Sequence, residues 1–169
     1  MLSIEQLVQD EKNNSFKGQT GLEILLSQDP PKEWIKKHPA IKKVIATKEG
    51  KREEVPYEYL PIEKVEYLLR RLFNDFKIEI LREGEVFNSV YTTVRVHYFS
   101  PDYDEWRYHD GTAAEKVTPN KNQLSGRVTE PVMALPLTKS NAIKNACSML
   151  GNLFGANLNR DEVPPLTVT

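Results

Sequence analysis

The chain has 169 residues, of which 39% are hydrophobic and 28% charged, as is ordinary for one globular domain with a sizeable core. It contains no run of the roughly 18 apolar residues that a membrane-spanning helix requires, and its first residues lack the basic and apolar segments of a secretory signal. Its single cysteine excludes an intramolecular disulfide. We therefore expect a one-domain protein of the cytoplasm with no membrane partner.

The formal net charge of −1 conceals an uneven distribution of charge along the chain. From Lys32 to Arg52, eight basic residues stand against two acidic ones, a formal charge of +6; from Lys116 to Arg160, six stand against one, giving +5. The stretch from Phe99 to Glu115 has five acidic residues and one arginine. This segregation favours a protein with one surface that faces a polyanion, although the same charges could simply solvate the exterior.

Residues 1–55 predict peripheral elements that contribute to oligomerisation. Apolar residues at helical spacing predict a helix at the start of the chain and a second, short apolar patch in residues 20–28. Trp34 and Ile35 follow in one or two helical turns between prolines. Residues 42–60 then predict an exposed hairpin that turns near Glu49 and Gly50.

The segment PIEKVEYLLRRLFND, residues 61–75, predicts the clearest helix of the first half. Its apolar stripe comprises Ile62, Val65, Leu68, Leu69, Leu72 and Phe73. One edge of the helix, with Glu63, Glu66 and Arg70, is typical of a solvated flank, in which Glu66 and Arg70 form a favourable i,i+4 pair. The other edge, with Lys64, Tyr67 and Arg71, has no acid and is a candidate for anion contact.

Alternating apolar residues predict three strands, in residues 76–82, 86–99 and 106–111. In the second strand, one face is predicted to hold Val86, Val90, Val94 and Val96, and the other to hold Tyr91, Thr93, Arg95 and His97. Residues 112–137 show no period and predict a long connection, after which a helix begins near Thr138 or Ser140. The order predicts an α+β fold, an antiparallel three-stranded β-meander flanked by helices. Its exposed sheet edges favour an oligomer, in a ring or helical assembly.

The last predicted helix lies in SNAIKNACSMLGNLFGANLNRD, residues 140–161, and Gly155 is its expected terminator. Its apolar face comprises Ile143, Ala146, Cys147, Leu150, Leu153 and Phe154. The rest of its surface has no acid and comprises Asn141, Lys144, Asn145, Ser148 and Asn152. Amides and a hydroxyl can donate to phosphate while Lys144 supplies charge. Gly151, which costs about 1 kcal/mol relative to alanine inside a helix, predicts the close approach of another backbone.

Three segments resemble the Rad-fifty-two type of single-strand annealing proteins, and DGTAAE (residues 110–115) with FGANLNRDE (residues 154–162) looks like the variant of bacteriophages and prophages. AIKNACSMLGNLFGANL resembles the last helix of that family and its fGnalG-like turn, with matches at Lys144, Ala146, Gly151, Asn152 and Gly155. YLPIEKVEYLLRRLF resembles the helix entry YI-x-G-H-R-V, with Tyr59, Lys64 and Val65 in register. VYTTVRVHY resembles the central V-R-V strand, with Val94, Arg95 and Val96 in register. The resemblance covers about residues 56–160, the predicted annealing core, and leaves residues 161–169 as a short tail.

The resemblance implies a homo-oligomeric DNA-binding protein that is not an enzyme, uses no ATP and needs no cofactor or metal. Such a protein binds single-stranded DNA in a positive groove with the bases outward, and promotes the pairing of complementary strands in homologous recombination and DNA repair. A phage exonuclease or a single-strand-binding protein is a further implied partner. The family commonly has two arginines where this chain has Asn145 and Ser148, so other cations would have to contribute. The predicted DNA-binding residues are Lys64, Arg71, Arg95, Lys121, Arg127, Lys144, Asn145 and Ser148.

Two alternatives stay open at this stage. Arg95 could form an internal salt bridge with Glu79 or Glu105 instead of contacting DNA. The whole chain could also be a multimeric scaffold or interaction module whose basic surface meets an acidic protein.

The residues offer little for catalysis. His97, His109 and Asp110 lack the tight spacing of metal ligands and are more typical of ordinary strand residues. Cys147 lies on the apolar face of its helix, which favours a core residue over a nucleophile. We therefore expect that the protein is not an enzyme.

Overall fold

The computed structural model describes residues 21–46, 52–73, 75–117 and 131–160. The α-helices in these ranges are α1 (Gly21–Leu26), α2 (Ile62–Leu72) and α3 (Pro131–Ser148). The strands are β1 (Lys36–Ala46), β2 (Arg52–Tyr59), β3 (Phe76–Val86), β4 (Ser89–Ser100) and β5 (Glu105–Lys116). Short 3₁₀ helices span Lys32–Trp34 and Asn152–Phe154. The predicted helix at the start of the chain and the tail 161–169 lie outside the described residues.

The strands form two antiparallel sheets. Strands β3, β4 and β5 form the predicted three-stranded meander, while β1 and β2 pair separately. The mixed fold with a three-stranded antiparallel meander is thus confirmed, and the predicted hairpin is a second sheet in its own right. Its register shifts between Lys37 and Lys42, around Pro39, which has no N–H to donate. The predicted domain boundary after residue 55 falls inside β2.

The central strand β4 alternates strictly between a buried and a partly exposed face. Val90, Thr92, Val94 and Val96 are buried, so the predicted division of the two faces is confirmed over this part of the strand. The prediction is wrong for Val86, which was expected on the buried face of β4. Val86 instead ends β3 and is exposed. The reason is that the chain turns immediately after Val86, before β4 begins at Ser89.

The predicted long connection over residues 112–137 is partly wrong. Strand β5 continues to Lys116, and α3 already begins at Pro131. A proline is favourable in the first turn of a helix because the missing N–H has no partner there in any case, whereas Pro136 is accommodated inside the helix. The helix also ends at Ser148, before the predicted terminator. Gly155 instead adopts a left-handed conformation, with φ of 87°, after the following 3₁₀ helix.

Helices α2 and α3 cover the same face of the meander and bury the core against it. The buried cluster comprises Leu60, Val65, Leu68, Leu69, Phe73, Val94, Val96, Tyr98, Ala142, Ile143, Ala146, Cys147, Leu153 and Phe154. Most of the predicted apolar stripe of α2 is buried, with Ile62 and Leu72 at its margin. A polar contact also joins α3 to the sheet, where the hydroxyls of Thr92 and Thr138 lie 2.8 Å apart in the interior. No helix in the described ranges is both long and apolar enough to cross a membrane.

The segment after α3 packs against α1. The predicted close approach of another backbone at Gly151 is confirmed, since a Cβ atom there would lie 2.5 Å from the carbonyl oxygen of Leu26. Gly151 has φ of 141°, a conformation that side chains rarely adopt, and lies after the helix instead of inside it. The amide of Asn152 donates to the carbonyl of Ser27 at 3.0 Å. The end of α1 is thus held against the segment that follows α3.

Candidate nucleic-acid interface

A groove with a volume of about 1190 Å³ lies beside α3. Its walls are the solvent-facing side of α3, the second half of β5, the β1–β2 sheet and the segment 154–160. Three predicted site residues, Lys144, Asn145 and Ser148, line it together. The groove is therefore the candidate site, and its geometry follows from how each wall is built.

The helix wall follows from the period of α3. Ala142, Ile143, Ala146 and Cys147 are buried against the sheet, so positions 141, 144, 145 and 148 necessarily fall on the other side. These positions carry three amide or hydroxyl side chains and one ammonium group. The polar face that the sequence predicts is thus confirmed at these four positions, whereas Asn152 lies after the helix and donates to Ser27.

Lys144 is the central cation of the groove. Its Nζ lies 5.1 Å from the centre of the Tyr59 ring, a cation–π contact. Burial lowers the pKa of Lys144, and the negative charge of Glu63 partly offsets this effect. A half-buried ammonium group has lost part of its hydration. An incoming anion therefore stabilises its positive charge more strongly than it stabilises the charge of an exposed lysine.

Asn145 and Ser148 already make hydrogen bonds within the chain. The Asn145 amide nitrogen donates to the carbonyl of Thr112 on β5 at 2.9 Å. The Ser148 hydroxyl donates to the carbonyl of Asn145 at 2.8 Å, within its own helix. Asn145 keeps a second N–H for a ligand, but the only hydroxyl hydrogen of Ser148 is engaged. The sequence predicts that Ser148 donates to a phosphate. To do so, its hydroxyl would have to break the bond to Asn145.

The opposite wall is aromatic and was missed in the sequence. Tyr57 and Tyr59, two residues apart on β2, both line the groove, and His38 and Ile41 line it from β1. The rings of His38 and Tyr59 meet edge to face, with centres 6.1 Å apart. Tyr57 is 40% exposed, so its ring is accessible to a ligand. The alternation of Tyr57 and Tyr59 was a usable local signal, but only the fold shows that it faces α3.

Asn159 closes the third side of the groove. Its side-chain oxygen accepts the backbone N–H of Glu58 at 2.7 Å, and its side-chain nitrogen donates to the Glu58 carbonyl at 2.5 Å. The amide therefore pairs with the edge of β2 as another strand would. Asn159 has φ of 66°, a left-handed conformation that asparagine tolerates. This contact holds the segment that carries Arg160, which also lines the groove.

The expected positive character of the groove is not a property of its lining. Among the described lining residues, the two cations Lys144 and Arg160 are balanced by the two anions Glu58 and Glu115. The surplus of positive charge lies next to the groove on β1, whose sequence KKHPAIKKVIA contains four lysines. Two of them have carboxylate partners, Lys42 with Glu54 at 3.2 Å and Lys36 with Glu63 at 3.9 Å.

Lys64 and Arg71 lie on α2 and do not belong to the described lining of the groove. The Nζ of Lys64 lies 5.2 Å from the centre of the Trp34 ring, and that ring meets Tyr67 edge to face at 5.9 Å. Arg71 is exposed. The fold thus separates Lys64 from Lys144, each on its own aromatic ring. Lys121 and Arg127 lie outside the described residues.

Arg95 lies on the sheet face that points away from α2 and α3. Its guanidinium group pairs with both carboxylate oxygens of Asp110, at 2.7 and 2.8 Å, and stacks 4.0 Å from the centre of the Tyr108 ring. The internal salt bridge weighed from the sequence has therefore formed, but with Asp110 and not with Glu79 or Glu105. Register alone does not decide the partner, because Asp110 on β5 and Glu79 on β3 both lie directly opposite Arg95.

The two acids that the sequence offered as partners of Arg95 have partners of their own. Glu79 contacts His97 at 2.9 Å, and Glu105 contacts Arg107 at 2.8 Å. His97 lies on the outer sheet face, whereas His109 lies opposite buried Val96 and contacts the Tyr98 hydroxyl at 3.2 Å. The two histidines are thus on opposite faces. Within the described ranges, no cluster of three or more His, Cys, Asp or Glu side chains is arranged to hold a metal ion.

Cys147 is a core residue. Only 1% of it is exposed, and burial raises the pKa of its thiol to about 12. A neutral, inaccessible thiol cannot act as a nucleophile at neutral pH.

No protein-family model matches the chain, and no curated protein matches it either. The likeness to annealing proteins is therefore carried by the three sequence segments alone.

Proposed function

We propose that the protein binds single-stranded DNA in the groove beside α3 and anneals complementary strands without ATP. One observation carries the proposal: Lys144, half-buried on the Tyr59 ring, stands in a row of amide and hydroxyl side chains that faces the tyrosines of β2. The row offers contacts to phosphate and sugar, while the exposed ring of Tyr57 can stack on a base of any sequence. Annealing requires binding of this sequence-independent kind, because the bases have to remain available for pairing.

The neutral lining of the groove bears on the assembly. Two cations balanced by two anions give each subunit only weak attraction for a polyanion. Several grooves that share one strand would convert weak contacts into tight binding, because each later contact forms at a high effective concentration. We therefore propose that the active form is an oligomer of identical subunits, in a ring or a helical filament.

Annealing of complementary oligonucleotides, without nucleotide or added metal, tests the proposal. We expect the protein to accelerate annealing at low salt, and Lys144→Gln to weaken both annealing and DNA binding. Lys139→Gln is the matched control, since Lys139 is an exposed lysine of the same helix that does not line the groove. No acceleration by the wild-type protein would contradict the activity, and equal effects of the two substitutions would contradict the site.

A second candidate is a scaffold or interaction module for an acidic protein. The exposed apolar residues Ile41, Tyr57 and Leu137 of the groove suit a peptide, and the lysines of β1 beside the groove suit an acidic one. Binding to oligothymidine of increasing length separates the two. A DNA-binding oligomer gains affinity with length, whereas a protein-binding module shows no DNA affinity at any length.

A further inference from the structure

Glu63, in the first turn of α2, lies among cations that belong to other elements. Its Oε1 is 3.9 Å from the Nζ of Lys36 on β1, and its charge also acts on Lys144 of α3. Tyr59 is a neighbour of both lysines. It lies opposite Lys36 in the register of β1 and β2, and its ring contacts the Nζ of Lys144. The carboxylate thus lies outside the described lining of the groove, but it is paired with the cross-strand neighbour of Tyr59 and acts on Lys144, and both Tyr59 and Lys144 line the groove.

A carboxylate and a phosphodiester each carry one negative charge and accept hydrogen bonds through two oxygens. The two groups therefore compete for the same ammonium groups. Glu63 is largely exposed, with 61% of its side chain accessible, so neither burial nor packing holds it against Lys36. A DNA phosphate could displace it without disturbing the core.

We propose that Glu63 is an internal counter-ion of the groove, which a backbone phosphate replaces when single-stranded DNA binds. This inference rests on the proposed function and adds a residue that sets the affinity of the groove. Glu63 lowers the affinity of each subunit for a backbone phosphate, so that tight binding depends on contacts from several subunits.

Glu66 provides a matched control on the same helix. It pairs within its own helix, with Arg70 at 3.7 Å, as the sequence predicts, whereas Glu63 pairs with Lys36 of another element. Glu63→Gln and Glu66→Gln each remove one negative charge, so a general change in net charge affects both equally. Thermal unfolding of each variant checks for changes in stability, because an acid in the first turn also stabilises its helix.

The experiment measures binding of a thymidine oligonucleotide to the full chain over a salt series. We expect Glu63→Gln to bind about two- to fivefold more tightly per subunit, the range of an exposed ion pair. We also expect a steeper salt dependence, because more cationic charge becomes available to phosphates. Glu66→Gln should bind like the wild type. The gain from Glu63→Gln should shrink when Lys36 is also replaced by glutamine, because the displaced partner is then absent.

The outcomes separate this inference from the proposed function. If the wild type binds and Glu63→Gln binds no better than Glu66→Gln, the counter-ion role is wrong while DNA binding stands. If neither the wild type nor Glu63→Gln binds at low salt, both are wrong. Binding by Glu63→Gln alone would support the counter-ion role in its strongest form.

Discussion

Gly111 of β5 lies directly against the backbone of α3 at Ala146. A Cβ atom at position 111 would overlap the amide nitrogen of Ala146 and the carbonyl oxygen of Ala142. The sheet and the helix therefore approach as closely as two backbones can. Because Lys144 lies between these two alanines, the same contact determines where the helix wall of the groove stands.

Gly111→Ala should destabilise the protein by about 1–3 kcal/mol, because the added methyl group forces α3 away from β5. Denaturation in urea measures the loss. Gly21→Ala is the control, since a Cβ atom there would meet no heavy atom within 4 Å. Equal stability of Gly111→Ala and the wild type would contradict the close packing described here.

Binding of DNA should be linked to proton uptake at Lys144. Burial lowers the pKa of this lysine in the free protein, and a phosphate would raise it again by favouring the charged form. Affinity should therefore fall as pH rises through the lowered pKa of Lys144. Without DNA the unfolded chain holds this proton more tightly than the folded chain, so the stability of the fold increases with pH over the same window.

Calorimetric titration with a thymidine oligonucleotide, in buffers of different ionisation enthalpy, measures this uptake. We expect uptake that grows from neutral to alkaline pH in the wild type and is absent in Lys144→Gln. Uptake that is the same in both proteins would assign the proton to another group.

Arg95→Gln should lower stability and leave DNA binding unchanged, because its bidentate partner is Asp110 on the far face of the sheet. The Arg95 contact lowers the pKa of Asp110. This pair thus contributes stability above the ordinary pKa of an aspartate, and the contribution is lost as pH falls through the lowered pKa. Thermal unfolding at neutral and strongly acidic pH should show a difference between wild type and Arg95→Gln only at neutral pH. A loss of DNA affinity in Arg95→Gln would contradict this and would support the other interpretation of the sequence, in which Arg95 contacts DNA.

Asn159 should be required to hold the third wall of the groove. Asn159→Gly removes both hydrogen bonds to Glu58 but accepts the left-handed backbone, whereas Asn159→Ala loses the bonds and also resists that conformation. We expect a loss of about 1–3 kcal/mol in Asn159→Gly and a larger loss in Asn159→Ala, measured in urea. A glycine variant as stable as the wild type would show that the bonds to Glu58 do not hold this segment.

The elements that the sequence predicts well are those buried on one side only. The stripe of α2 and the alternation of β4 each follow from a single buried face, so a local period reveals them. The sequence does not reveal the beginning of α3, because prolines usually interrupt a helix and residues 112–137 contain Pro131 and Pro136; the first of them is where the helix starts. The end of β5 is not revealed either, because a glycine is unfavourable in a strand, whereas Gly111 lies inside β5 and leaves room for α3.

The candidate site likewise combines residues that a local pattern brings together with contacts that no local pattern reveals. Lys144, Asn145 and Ser148 share one helix face, and helical spacing alone places them together. The contact between Asn159 and Glu58 joins residues 101 positions apart, and no local pattern predicts it. Strand register places both Asp110 and Glu79 opposite Arg95, and Glu79 pairs with His97 while Asp110 pairs with Arg95. Local sequence therefore predicts a wall of the groove, while the groove itself arises from long-range pairing.

Photo-crosslinking from Tyr57 tests the central claim most directly. Benzoylphenylalanine at Tyr57, in the groove, and separately at Tyr108, on the outer sheet face, would be irradiated with a single-stranded thymidine oligonucleotide; both tyrosines are at least 40% exposed. The proposed mode of binding predicts a DNA adduct from position 57 and none from position 108. An adduct from position 108 alone, or from neither position at low salt, would contradict it.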